Sequence, residues 1–160
     1  QHMSDPACGV RVEILDKTRV ARIDAADAQA WPVVSLVVGE SALSVSAFVI
    51  RNADEQHERF YRYLLRRNLR MPLLAYSIDA SGDVYVGGRV PLRAVTEELV
   101  DQVLGVVLDA ADTPFNELLL LGFRSSMQKE WDWRVSRGES LRNLEAFRSV
   151  LEHPDGSAQD

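Results

Sequence analysis

VVSLVVGESALSVSAFVI, residues 33–50, decides the fold. Two β-branched apolar runs meet at the polar Gly39-Glu40-Ser41, the pattern of a tight antiparallel hairpin. Residues 73–90, LLAYSIDASGDVYVGGRV, repeat the device with Ala80-Ser81-Gly82-Asp83 as the turn. Between them, NADEQHERFYRYLLRRNLRMP at 52–72 loses the period of two and takes one near 3.6, so a helix separates the hairpins. The order strand, turn, strand, helix, strand, turn, strand predicts an α+β fold: a twisted antiparallel sheet with helices packed mainly on one face.

Asn52 and Glu55 have capping-box spacing and mark the expected start of that helix. His57, Phe60, Tyr61, Leu64 and Leu65 are expected on the face covering the sheet, with His57 at the helix surface or its boundary. Arg59, Arg62 and Arg66 follow another face.

Downstream, Thr96 before Glu97-Glu98 reads as a helix cap with acids at the positive end of the dipole. Leu99, Val100, Val103, Leu104, Val107, Leu108 and Ala111 give that helix a stripe wide enough for contact on two sides. Pro114 is expected at the first position of a further helix, on which Leu119, Phe123, Met127 and Trp131 recur at steps of four. Gly138 and Ser140 stop it and cap a last helix striped by Leu141, Leu144, Phe147 and Leu151.

Upstream, Gln1-His2-Met3 has the look of a cloning remnant, with Met3 as the expected native start and residues 1–9 a flexible lead-in. Val10–Ile14 reads as a short strand, Lys17-Thr18 as a turn before Val20–Ile23, and Asp24–Ala30 as one or two helical turns ended by Trp31-Pro32. The tail over 153–160 is expected to lack regular structure.

At 160 residues, 46% hydrophobic and 26% charged, the chain is expected to be a single domain over 1–160 that buries about two thirds of its unfolded surface. No apolar run approaches the ~20 residues that span a bilayer, and Leu118–Phe123 runs directly into Arg124. The lone Cys8 excludes an intramolecular disulfide framework, and a reducing cytoplasm is the expected compartment. A net charge of −6 argues against nucleic acid as a partner of the whole surface.

Residue chemistry offers neither a catalytic nor a metal signature, and no cofactor is expected. His57 and His153 lack partners at ligand spacing. Cys8 has no basic helix terminus beside it to activate the thiol. Gly-Glu-Ser at 39–41 is not a nucleophile elbow, and Gly87-Gly88 lacks the Lys-Ser/Thr of a phosphate loop. The expected function is therefore not enzymatic.

The stretch from Trp31 to Phe123 resembles the YbjN family, described as sensory-transduction regulators. The resemblance is carried by Tyr63-Leu64-Leu65-Arg66-Arg67-Asn68, Ala75-Tyr76-Ser77-Ile78-Asp79, Gly82-Asp83-Val84-Tyr85-Val86, Gly88-Arg89-Val90-Pro91-Leu92 and the Glu-Glu-Leu helix after them. It implies a sheet-and-helix fold like that of type III secretion chaperones, with a protein partner and the option of a homodimer. It implies no catalytic residues. The chain departs from the pattern in showing no helix before Val10, and the extra stripes after Leu118 are expected to cover the sheet instead.

Two features are candidates for partner binding. Arg59, Arg62, Arg66, Arg67 and Arg70 concentrate positive charge in an acidic protein. They form either a docking surface for an acidic partner segment or nucleic acid, or a solvated face neutralised by pairs such as Glu55–Arg59 and Glu58–Arg62. Trp131 and Trp133 are two positions apart and, at about 100° per residue, point to nearly opposite sides of a helix, so either one packs inside while the other meets a partner, or both lie between sheet and last helix. The leading expectation is a protein-binding module, chaperone-like or regulatory. A small-molecule sensor and a nucleic-acid-linked regulator using the arginine helix are the alternatives.

Overall fold

The structure, a computed structural model, describes residues 2–5, 10–14, 20–25 and 33–153. Seven antiparallel strands form one sheet: β1 (His2–Asp5), β2 (Val10–Ile14), β3 (Val20–Ala25), β4 (Val34–Val38), β5 (Ala42–Ile50), β6 (Ala75–Ile78) and β7 (Val84–Pro91), in the order β1-β2-β3-β4-β5-β7-β6. Both predicted hairpins are present, β4 with β5 and β6 with β7, and they join through β5 and β7 at the centre. In the second turn the Asp79 carboxylate accepts from the backbone N–H groups of Ser81 (2.8 Å) and Asp83 (3.0 Å), the local bonding that favours Asp there. Gly82 takes φ 84°, and a Cβ on it would lie 2.6 Å from the Asn52 side chain, so no other residue fits.

The period of two places Val34, Leu36, Leu43, Val45, Ala47, Val84, Val86 and Val90 on one face, all buried. A bulge between Phe48 and Ile50 lets the consecutive Val49 and Ile50 both enter the core. The opposite face carries a row of small residues paired across four strands, Ser35–Ser46–Gly87–Ala75, and leaves Val37 and Phe48 exposed. Helices α1 (His57–Asn68), α2 (Glu97–Asp112) and α3 (Phe115–Gly122) fill the apolar face with Phe60, Leu64, Val103, Val107, Ala110 and Leu118. Thr96 caps α2 as expected, its hydroxyl accepting from Leu99 N–H at 3.1 Å.

Helix α4 (Arg124–Arg137), a 3-10 stretch (Arg142–Phe147) and the short α5 (Arg148–Glu152) build a second cluster. Met127, Trp131, Phe147 and Leu151 are buried there, joined by Leu119 and Leu120 from α3. Gly138 ends α4 in the left-handed conformation, φ 65°, as its position predicts.

Several expectations change. Asn52 and Glu55 do not form a capping box: α1 begins at His57 behind Gln56, which has φ 53° and no side-chain cap. Asn52 is taken by the second hairpin turn, donating from its backbone to the Asp83 carboxylate (2.8 Å) and from its amide to the Ser81 carbonyl (2.9 Å). Glu55 instead caps α4, accepting from the backbone and hydroxyl of Ser125 (2.6 and 2.8 Å). Leu65 faces solvent, because Phe60 and Leu64, with Tyr61 half-buried beside them, cover the sheet; His57 lies exposed at the helix surface, as expected. The helix expected from Pro114 onward is two helices broken at Phe123, and Pro114 precedes the first helical residue. Trp131 and Phe147 are buried against each other's helices and not on the sheet, since among the described residues no strand residue joins their cluster. Most of the last helix is 3-10. Upstream, β1 occupies part of the expected lead-in, and Asp24 and Ala25 end β3 where helical turns were expected. Residues 6–9, the turn at 17–18, residues 26–32 and the tail from 154 lie outside the described residues.

Candidate partner-binding surface

Helix α1 is fixed from inside by Phe60, fully buried, and Leu64. The loop before it ties the helix to α3 and α4. Backbone N–H groups of Asp54 and Glu55 donate to the Gly122 carbonyl (2.9 and 3.2 Å), and Arg51 grips Asp54 through two hydrogen bonds of 2.7 and 2.9 Å while lying 4.3 Å from the Phe123 ring centre. The Arg51 and Ser126 bonds hold the Asp54 carboxyl at about 2, and the Ser125 bonds depress Glu55.

The outer surface of α1 is apolar and basic together. Leu65 is 65% exposed and Leu69, just past the helix end, 87% exposed. They stand four residues apart, so they share a face. Arg59, Arg62, Arg66 and Arg70 are exposed around them, and Arg67 is half-buried. Of the pairs expected to neutralise these arginines, Glu58–Arg62 forms, but Glu55 is committed to Ser125. Among the described residues Arg59, Arg66, Arg67 and Arg70 have no carboxylate partner. Arg66 and Arg67 sit in the last turn of α1, where the helix dipole favours cations.

Arg67 stacks over the Tyr63 ring, 5.9 Å from its centre, and lies beside Tyr76, whose phenol donates to the Ala110 carbonyl at 2.6 Å. Burial pushes the Tyr76 phenol up, and the Arg67 guanidinium pulls the other way. One residue on, the Asn68 carboxamide accepts from the Tyr76 N–H (2.7 Å) and donates to its carbonyl (3.3 Å). Those are the groups a further strand would need, so Asn68 closes the free edge of β6 at its middle.

The tryptophans belong to α4. Trp131 is buried with Arg148 over its ring at 5.7 Å; Trp133 is 45% exposed with Arg137 at 5.5 Å. The alternative in which both are buried is thereby excluded. Leu65 was expected on the sheet side and Leu69 was not singled out, although the two rows Phe60–Leu64 and Leu65–Leu69 are both present in the sequence. Among the described residues no group of three or more His, Cys, Asp or Glu comes together to hold a metal ion, and no helix is long and apolar enough to cross a membrane.

The family model for YbjN, "Putative bacterial sensory transduction regulator", matches residues 13–120, from β2 through α3. "Uncharacterized protein ML2442" of Mycobacterium leprae is 52% identical over 124 residues, covering 77% of this chain and 67% of that protein. "Uncharacterized protein Rv0487" of Mycobacterium tuberculosis is 53% identical over 124 residues, covering 78% and 68%. Among solved structures, a chain of the "Crystal Structure of the ExsC-ExsE Complex" aligns with a TM-score of 0.51 at 24% identity over 65% of this chain and 79% of that one, a likeness of fold. The chain belongs to the YbjN family and has the α+β, type III secretion chaperone-like fold that its sequence led us to expect.

Proposed function

We propose that the chain is a cytoplasmic, non-enzymatic protein-binding module, regulatory or chaperone-like, that holds an acidic, amphipathic segment of a partner on the outer surface of α1. The observation that carries this is the exposed pair Leu65 and Leu69 set among arginines without carboxylate partners. Water-exposed leucines stabilise a complex that buries them, at about 25 cal/mol per Å². Arginine forks bind carboxylates in pairs and so set register. The family's description as a regulator of sensory transduction, and a structural neighbour solved as a complex of two proteins, support the same reading. Closure of the β6 edge by Asn68 favours a partner on the helix over one added as a strand at that edge. Trp133 is a second exposed aromatic available to a partner or a second copy.

Affinity capture from nuclease-treated lysate of the source organism, with bound proteins identified by mass spectrometry, tests the charge component. The wild-type chain should retain a polypeptide that Arg62→Glu with Arg66→Glu, folded to the same melting temperature, releases. Equal retention by both refutes the role of the arginines.

A further inference from the structure

A cleft of about 840 Å³ opens between the last turn of α1, the chain that follows it and α2. It has the size of a small-molecule site. Arg66, Arg67 and Arg70 line it, against a single carboxylate, Asp109, which already accepts from the Thr113 hydroxyl at 2.7 Å. Positive charge therefore predominates. Met71, Pro72 and Val106 add apolar wall.

Two details point to an occupant. The Nε of Arg67 is buried without a hydrogen-bond partner among the described residues, in a side chain stacked on Tyr63. The rest of the guanidinium bonds the neutral Tyr76 and Tyr63 phenols and, among the described residues, no carboxylate, so its charge is partly out of water without a counter-ion, and an anion on the same group offsets that loss. Gly105 stands in the interior of α2, where glycine weakens a helix relative to alanine, and a Cβ on it would meet nothing within 4 Å. Packing does not require that glycine. Its effect is to leave the α2 wall of the cleft bare.

We propose that this cleft binds a small organic anion, with its phosphate or carboxylate group seated on Arg67 and Arg70 and its apolar part against Met71, Pro72 and Val106. The site lies beyond the partner reading above and shares Arg66, Arg67, Leu69 and Arg70 with its surface, whereas Gly105 belongs to the cleft alone, so Gly105→Leu separates the two.

Amide chemical shifts of the whole chain, titrated with phenyl phosphate and separately with phenylacetate to millimolar concentrations, test the proposal. Saturable shifts at residues 66–72 and 102–109 are expected with one probe or both, and the responding probe tells phosphate from carboxylate. Arg67→Gln should weaken binding by about tenfold or more, the loss of a charged hydrogen bond. Gly105→Leu, which keeps every charge and projects a side chain from the bare α2 wall into the cleft, should strongly reduce the shifts. Absence of saturable shifts with both probes overturns the proposal. So do shifts that persist unchanged in Gly105→Leu, because they would report anions on the exposed arginines only.

Discussion

Asp54 shows how much one carboxylate can organise. It pairs with Arg51, accepts from the Ser126 hydroxyl, and offers its backbone N–H to Gly122, so strand β5, α3 and α4 meet on it. Its carboxyl stands at about 2 against an ordinary 3.8. A depressed folded-state value means stability present above the unfolded value and lost as the pH falls through the folded one. The chain should thus lose stability between pH about 4 and about 2, by less than about 1 kcal/mol from this group because it is solvent-exposed. Asp54→Asn should narrow the gap in melting temperature between those two pH values; an unchanged gap would remove Asp54 from the account. The Asn-x-x-Glu spacing that sequence reads as a capping box is local in appearance and tertiary in use. Nothing in a window of four residues tells that Glu55 will cap a helix beginning some seventy positions later.

At the scale of elements, alternation at 33–50 and 73–90 was sufficient to place four strands, because one face is uniformly apolar and the other mixes Ser, Gly and Ala with Val37, Phe48, Tyr85 and Arg89. Pairing of β5 with β7 was not legible, since the hairpins differ too little to announce which strands meet. Helix α1 exposed a different ambiguity. Two apolar rows run along it at steps of four, of which the sheet buries Phe60–Leu64 and leaves Leu65–Leu69 exposed, and the choice is made by packing. The arginines of the site were visible by composition, while their lack of neutralising carboxylates required the fold. Asn68 at the end of α1 protects the edge of β6. Asn68→Ala should cost about 1–3 kcal/mol by leaving the Tyr76 N–H unpaired, and should promote association through the exposed edge. Denaturant unfolding measures the first and light scattering the second; a variant as stable and monodisperse as the parent would show that water replaces Asn68 freely.

On the scale of the molecule, the described residues form two apolar clusters of unequal size, twenty buried residues on the sheet against four around Trp131. The stripe from Leu119 to Trp131 foretold burial of Phe123, Met127 and Trp131, with Leu119 half-buried, but not that the helix would break at Phe123 and hand its second half to a separate cluster. Stability follows apolar contact, so α4 and α5 should exchange amide hydrogens faster than β5 and β7. Trp131→Ala, a loss of roughly 3–5 kcal/mol, should open the smaller cluster and leave protection in the sheet intact. Equal protection throughout, lost together in the variant, would mean one cooperative unit.

The account centres on α1 presenting apolar and basic groups to another polypeptide. Side-by-side capture with the wild-type chain and with Leu65→Ser, Leu69→Ser tests this most directly, because both leucines are exposed and their replacement should change stability by no more than about 0.5 kcal/mol. The prediction is one polypeptide held near stoichiometrically by the wild type and lost from the variant. A partner held equally by both, or none held by the wild type even after mild cross-linking, would contradict it.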